Sequence, residues 1–368
     1  TATTIAVNAG NGQSATAGSA VATAPSVVVT DANGNPKQGV SVTFAVDSGG
    51  GIVDPISSVS TDASGVAAVT SWTLGATAGT NSLTATSAGL TGSPITFTAT
   101  GSVGPAAKVV FTTQPSSSTV AGVAFSTQPV VTVQDANGNT VTGSTASIAL
   151  TLTTGAGALG GTATMNAVNG VANFSGKNLS INLVGADKVL TASSSGLTAA
   201  TTSPAFTIIA GTATTIAVNA GNGQSATAGS AVATDPSVLV TDANGNPKQG
   251  VSVTFAVDTG GGTVVPTTAV TTDASGLATV TSWTLGTTAG ANSLTATSGG
   301  LTGSPVTFTA TGTAGAATKL LFVQQPTSAV AGAGILPSVT VEVTDVNGNR
   351  VTGASDSLTL AIGTNPAS

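Results

Sequence analysis

The 368-residue chain has no cysteine, no histidine and no tyrosine, one methionine and two tryptophans. Only 5% of its residues are charged and 3% aromatic. Each absence removes a class of chemistry. Without His or Cys there is no Ser-His-Asp or Cys-His nucleophile, no ordinary zinc site, no haem ligation and no thiol redox couple. Seven Lys+Arg against thirteen Asp+Glu leave a net charge of −6. No basic run is present to release counterions from a nucleic acid or to bind an anionic membrane. The composition points away from an enzyme, a nucleic-acid binder, a metal site and a bound cofactor. A disulfide framework is excluded outright. Bacterial extracellular repeat proteins often do without one, whereas small secreted animal domains rely on it.

Long hydrophobic runs are missing too. The uncharged stretch from Val189 to Thr234 is broken every few residues by Thr, Ser, Gly or Asn, so no span of about 20 apolar residues exists to cross a membrane. The sequence opens at Thr1 without Met, basic n-region or apolar h-region. That reads as a mature protein whose signal peptide is gone, or as an internal fragment. Average soluble proteins carry roughly 25% charged residues, so this surface must be built of Thr, Ser, Asn, Gly and Ala.

What the chain does have is repetition. Residues 1–101 return almost verbatim at 212–312: Asp31 maps to Asp242, Asp62 to Asp273 and Trp72 to Trp283. Between the copies lies a divergent module whose opening, AAKVVFTTQPSSSTVAG, returns as AATKLLFVQQPTSAVAG. The order is A-B-A-B, with expected boundaries at 1–103 (A1), 104–210 (B1), 211–313 (A2) and 314–368 (B2, partial). All four share the pentapeptide D-x-N-G-N, at Asp31–Asn35, Asp135–Asn139, Asp242–Asn246 and Asp345–Asn349. Its spacing of 104, 107 and 103 residues matches the length of one immunoglobulin-like sandwich, about 100 residues.

Period-2 alternation runs throughout. Val40, Val42, Phe44 and Val46 alternate with Ser41, Thr43 and Ala45, and Ile148, Leu150 and Leu152 with Ala149, Thr151 and Thr153. This is the pattern of strands with one buried face. Asn169-Gly170 predicts a tight hairpin, and Asp62–Gly65 and Asp273–Gly276 predict longer loops with a left-handed glycine. No 3.6-residue periodicity persists over three turns. The expected fold class is all-β, with Trp72 and Trp283 at the core centres.

The residues VVVTDANGNPKQGVSVTFAVDSGGG (27–51), STDASGVAAVTSWTLG (60–75) and AGTNSLTAT (78–86) occur in one order and recur in A2. As a set they resemble the bacterial immunoglobulin-like domains of the invasin/intimin type, found in tandem in surface adhesins. The B modules look like a cousin domain, keeping the turn and the Asn169-Gly170 hairpin but lacking the proline and the T-D-x-x-G form. The resemblance implies tandem immunoglobulin-like β-sandwiches in an elongated rod, and a secreted, cell-surface, load-bearing or spacing role. It implies no ligand.

Candidate sites are few. Asp31, Asn33 and Asn35 sit at positions 1, 3 and 5 of a possible calcium loop, but positions 6 and 12 are Pro36 and Val42, where an EF-hand needs Gly and Glu. The favoured reading is a turn in which Asp31 accepts backbone N–H bonds and Gly34 supplies positive φ. The linkers at 101–107, 208–213 and 312–316 contain no carboxylate, so junctional calcium is not expected. Asp47 and Asp54 approach a paired-carboxylate pattern, yet A2 carries Asp258 with Val265 in the second place, and Asp47 reads as a strand-end cap. Lys108 and Lys319 precede the first B strands, where an intramolecular isopeptide bond would begin. The nearby acid Asp187 adjoins Lys188, and a solvated pair is the favoured reading. Catalytic, metal and cofactor residues are therefore expected to be none.

B2 holds about half a domain, with Ile362 expected to end the strand matching Leu150–Leu152. The leading functional expectation is a non-catalytic stalk or spacer of an extracellular bacterial surface protein. Its partners would be neighbouring modules or subunits, with any host or surface ligand held elsewhere in the parent protein. The alternative is a subunit of a self-assembling fibre or sheath, with B2 completed by a neighbouring chain. A carbohydrate- or host-binding module would want exposed aromatics, and this chain has no Tyr and only two Trp, both inside strand motifs.

Overall fold

The computed structural model describes residues 1–364, in which strands and turns occur and no helix does. The chain divides into two compact units, Thr1–Ile209 and Ala210–Ser368.

In the first unit, residues of module A1 form two facing sheets. One orders Thr4–Ala9, Ser26–Thr30 and Val66–Ala68; the other orders Gln13–Thr16, Ile95–Ser102, Gly79–Thr86, Ser41–Ser48 and Val59–Ser60. The period-2 pattern decides which side chains turn inward: along Ser41–Ser48, Val42 and Phe44 are buried while Ser41, Thr43 and Ala45 are exposed. Register aligns Phe44 with Ala85 and Phe97 with Leu83, so apolar rows meet across the sheet. A two-stranded ribbon of Gly51–Asp54 and Ser71–Leu74 sets Val53 opposite Trp72. Trp72 is fully buried among Val27, Val29, Leu74, Leu83 and their neighbours.

Module B1 repeats this sheet order with other residues. Lys108–Thr113, Val130–Gln134 and Val171–Asn173 form the smaller sheet. Ser118–Val120, Phe206–Ile209, Gly185–Ser193, Ser147–Thr154 and Thr164–Asn166 form the larger, with Ala200–Thr201 added beside Gly185–Ser193. Its core has no tryptophan. Phe125 and Phe206 meet edge to face at 5.5 Å, with Phe174, Leu179 and Ile181 fully buried around them. The Asn169-Gly170 hairpin has φ of 52° and 76°, the two positive values a type I′ turn requires.

In the second unit, A2 repeats the A1 sheets, from Ala213–Ala220 through Val306–Thr313, with Trp283 opposite Val264. Beyond it, Lys319–Gln324 pairs with Thr340–Thr344. The strand expected to end at Ile362 does not form: no strand is present between 345 and 364. Its B1 counterpart, Ser147–Thr154, pairs with Thr164–Asn166 and Gly185–Ser193, whereas no described strand pairs with the stretch ending at Ile362. With no ladder partner, a lone strand leaves its backbone groups to water. The same lack strips cover from the paired strands. Leu320 is 60% exposed where its counterpart Val109 is 1%, and Phe322 is 46% exposed where Phe111 is 8%.

Candidate functional site

The D-x-N-G-N turn recurs in all four modules, and its chemistry follows from the aspartate having two oxygens. In A1, Asp31 Oδ1 accepts the backbone N–H of Asn33 at 3.0 Å and of Asn35 at 2.9 Å. Asp345 Oδ1 accepts from Asn347 and Asn349 at 2.9 and 2.8 Å. The glycine at position 4 sits at φ of 81° in A1 and 93° in B1, a left-handed conformation that costs a side-chain-bearing residue about 1 kcal/mol or more. One carboxylate oxygen is thus spent within the turn. The second accepts the side-chain amide of the position-5 Asn and keeps room for a partner outside the turn.

In three modules that second oxygen binds the chain segment entering the module. Asp135 Oδ2 accepts the Gly104 N–H at 2.9 Å, Asp242 Oδ2 that of Gly211 at 2.9 Å, and Asp345 Oδ2 that of Gly315 at 2.8 Å. In A1 the same oxygen pairs with Lys37 Nζ at 3.0 Å. The equivalent lysine of A2, Lys248, instead donates to the carbonyl of Ala210 at 3.2 Å.

The B-module turns also reach back into the A module before them. Asn139 Oδ1 accepts the Ala78 N–H at 2.8 Å while its Nδ2 donates to Ala76 O at 2.9 Å. Asn137 Nδ2 donates to Ala17 O at 2.7 Å. The A2–B2 junction repeats the set: Asn349 bonds Ala289 N and Thr287 O at 2.6 and 2.8 Å, and Asn347 reaches Ala228 O at 3.4 Å. A side-chain amide presents a donor and an acceptor on separate atoms, so Asn at position 5 suits a backbone loop that offers one of each. The fit at Asn137 is close. A Cβ on Gly18, itself at φ +78°, would lie 2.9 Å from Asn137 Nδ2.

These hydrogen bonds hold the carboxylates ionised. Asp345 is lowered to about 2, chiefly by the Asn349 side chain. Burial raises Asp135 and Asp242, but bonds from Asn139 and Gly104, and from Gly211 and Asn246, outweigh it and leave both below the usual carboxylate value. Lys37, then the Asn35 backbone, lowers Asp31.

At the calcium-loop candidate Asp31, Asn33 and Asn35, both Asp31 oxygens are turned onto turn N–H groups, the Asn35 amide and Lys37. Among the described residues, no group of three or more His, Cys, Asp or Glu comes together. Asp47 and Asp54 are both exposed; Asp47 Oδ2 accepts the Ser82 hydroxyl at 2.6 Å, and Asp258 repeats this with Ser293 at 2.8 Å. Lys108 and Lys319 each donate to the carbonyl at position 2 of their own module's turn, Ala136 and Val346.

One sequence reading needs correction. Lys188 is not half of a solvated pair with Asp187: it is fully buried, and its ammonium donates to Ala156 O at 2.6 Å and Val184 O at 3.1 Å. Alternation along Gly185–Ser193 sends Lys188, like Leu190 and Ala192, inward while Asp187 stays exposed. The junctions, moreover, do meet carboxylates. These arrive from turns 30 or 31 residues downstream, so inspection of the linkers alone misses them. The signal for them was present in the fixed Asn residues of the pentapeptide, which a turn alone does not demand.

No family model and no curated protein matches the chain. Among solved structures it is similar to FdeC, an Escherichia coli adhesin, at 20% identity over 84% of this chain and 96% of that one, with a TM-score of 0.37. Invasin, a bacterial integrin-binding protein, is similar at 18% identity over 88% of this chain and 62% of its own, with a TM-score of 0.34. InvD of Yersinia pseudotuberculosis is similar at 19% over 81% and 94%, with a TM-score of 0.31. The chain is built of immunoglobulin-like β-sandwich modules that resemble those of the invasin/intimin type.

Proposed function

We propose that the chain is a non-catalytic spacer segment of a secreted, adhesin-like bacterial surface protein, made of modules at 1–103, 104–210, 211–313 and 314–368. One observation carries this reading. A set of side-chain hydrogen bonds joins each B module to the A module before it, once in each compact unit, with the same atoms. Its side chains are spent on hydrogen bonds to neighbouring backbone, which suits a part whose task is to hold modules in a fixed relation. Any ligand for a host or surface is assigned to other regions of the parent protein. The adhesins to which the fold is similar support the surface location.

Negative-stain electron microscopy and sedimentation of the purified chain test the proposal. Discrete monomers of constant end-to-end length are expected. Helical or sheet-like polymers would overturn it in favour of a fibre or sheath subunit.

A further inference from the structure

The A2 module shows what its Asp-Lys pair is for. Asp242 accepts the N–H of Gly211 and Lys248 donates to the carbonyl of Ala210, so the two side chains grip both polar atoms of one peptide group, that of the Ala210–Gly211 bond. That segment directly follows the last B1 strand, Phe206–Ile209. In A1 the same two residues, Asp31 and Lys37, lie 3.0 Å apart and bond each other. A1 and A2 are otherwise near-copies through the turn, both reading DANGNPKQGVSVTFAVD.

We infer that the Asp31–Lys37 pair of A1 is a docking site for the C-terminal end of a B-type module, taking an Ala-Gly-like dipeptide with its carbonyl on Lys37 and its next N–H on Asp31. The occupant is set by the chemistry of the two turn types. The B turns have Val141 and Val351 where A turns have Lys37 and Lys248, and they hold an A-type loop through paired Asn side chains instead. Both turn types give an aspartate oxygen to the linker N–H; the A2 turn adds a lysine for the linker carbonyl, whereas the B turns add amides for a folded loop. This deepens the spacer reading and rests on it only for the premise that modules are joined in series.

The test places a second copy of residues 104–211 directly before Thr1 of the full chain and follows amide hydrogen exchange by mass spectrometry. The glycine amide preceding Thr1 is expected to exchange at least about tenfold slower than in an unstructured linker, as befits a hydrogen bond to a charged acceptor. D31A should abolish that protection, and K37M should weaken it. Asp31 also shapes its turn, so K37M is the variant that leaves the turn intact, and Trp72 fluorescence reports whether A1 remains folded. Exchange at the free rate in the extended chain, or protection unchanged in both variants, would overturn the inference. Polymerisation of the unextended chain would instead sink the spacer reading while leaving this local readout interpretable.

Discussion

Modules A1 and B1 build one sheet plan around opposite cores. In A1 the N–H of Val21 donates to Trp72 O, and in B1 the N–H of Phe125 donates to Leu179 O. All four side chains are buried. The bulk has moved from one side of the bond to the other: small Val against large Trp in A1, large Phe against smaller Leu in B1. Cores need close packing more than any particular residue. The two sequences therefore diverge freely at these positions while strand order and the D-x-N-G-N turn stay fixed.

The sharpest way to break this comparison is to exchange the bulk. Trp72→Ala is expected to destabilise A1 by about 3–5 kcal/mol through cavity formation, read by chemical denaturation with Trp283 as the internal reference. Trp72→Leu should cost less, and adding Val21→Phe should restore part of that loss. If the double variant is less stable than Trp72→Leu alone, the two sites are not equivalent. The buried lysine gives a smaller effect confined to B1. Lys188→Met removes the donor from Ala156 O and Val184 O, and loss of hydrogen bonds from a charged group costs about 1.5–3 kcal/mol; circular dichroism should show B1 melting earlier while Trp fluorescence from the A modules holds.

At the junction, Asn139→Ala removes bonds to Ala76 and Ala78 without touching either core. A loss of about 1 kcal/mol is expected for partly exposed bonds of this kind, seen as faster exchange of the Ala78 amide. Acid produces the smallest effect. The folded Asp345 titrates at about 2, below its ordinary 3.8. Its stabilisation is therefore complete above about pH 4 and is lost as pH falls through about 2. Exchange at Gly315, normalised for the intrinsic rate at each pH, should rise over that window and stay flat above it. A rise near pH 6 would implicate some other group.

Most of the fold was legible in the residues. Val42 and Phe44 point inward as their alternation requires, Asn169-Gly170 makes the hairpin its type favours, and Trp72 and Trp283 lie at core centres. Strand alternation even encoded the orientation of Lys188, but the bias that a lysine belongs in water concealed it. The strand expected to end at Ile362 misled for a different reason: a strand needs a ladder partner as well as a pattern, and no described strand pairs with that stretch. The junction chemistry was hidden by sequence distance. Asn139 meets Ala76 and Ala78 across about sixty residues, and no local pattern announces such a meeting.

The parallel pairing of Gln13–Thr16 with Ile95–Ser102 has a consequence under tension. These segments lie near opposite ends of module A1, and a pull on the two ends slides them lengthwise past each other. The bonds of a parallel ladder are evenly spaced along such a pair, so the pull loads them side by side in shear rather than opening them one after another. Ser118–Val120 with Phe206–Ile209, and Gln224–Thr227 with Val306–Thr313, are laid out in the same way. Each of these three modules thus has a built-in shear clamp, and the force it withstands is governed by how fast that short ladder ruptures rather than by the depth of the core behind it.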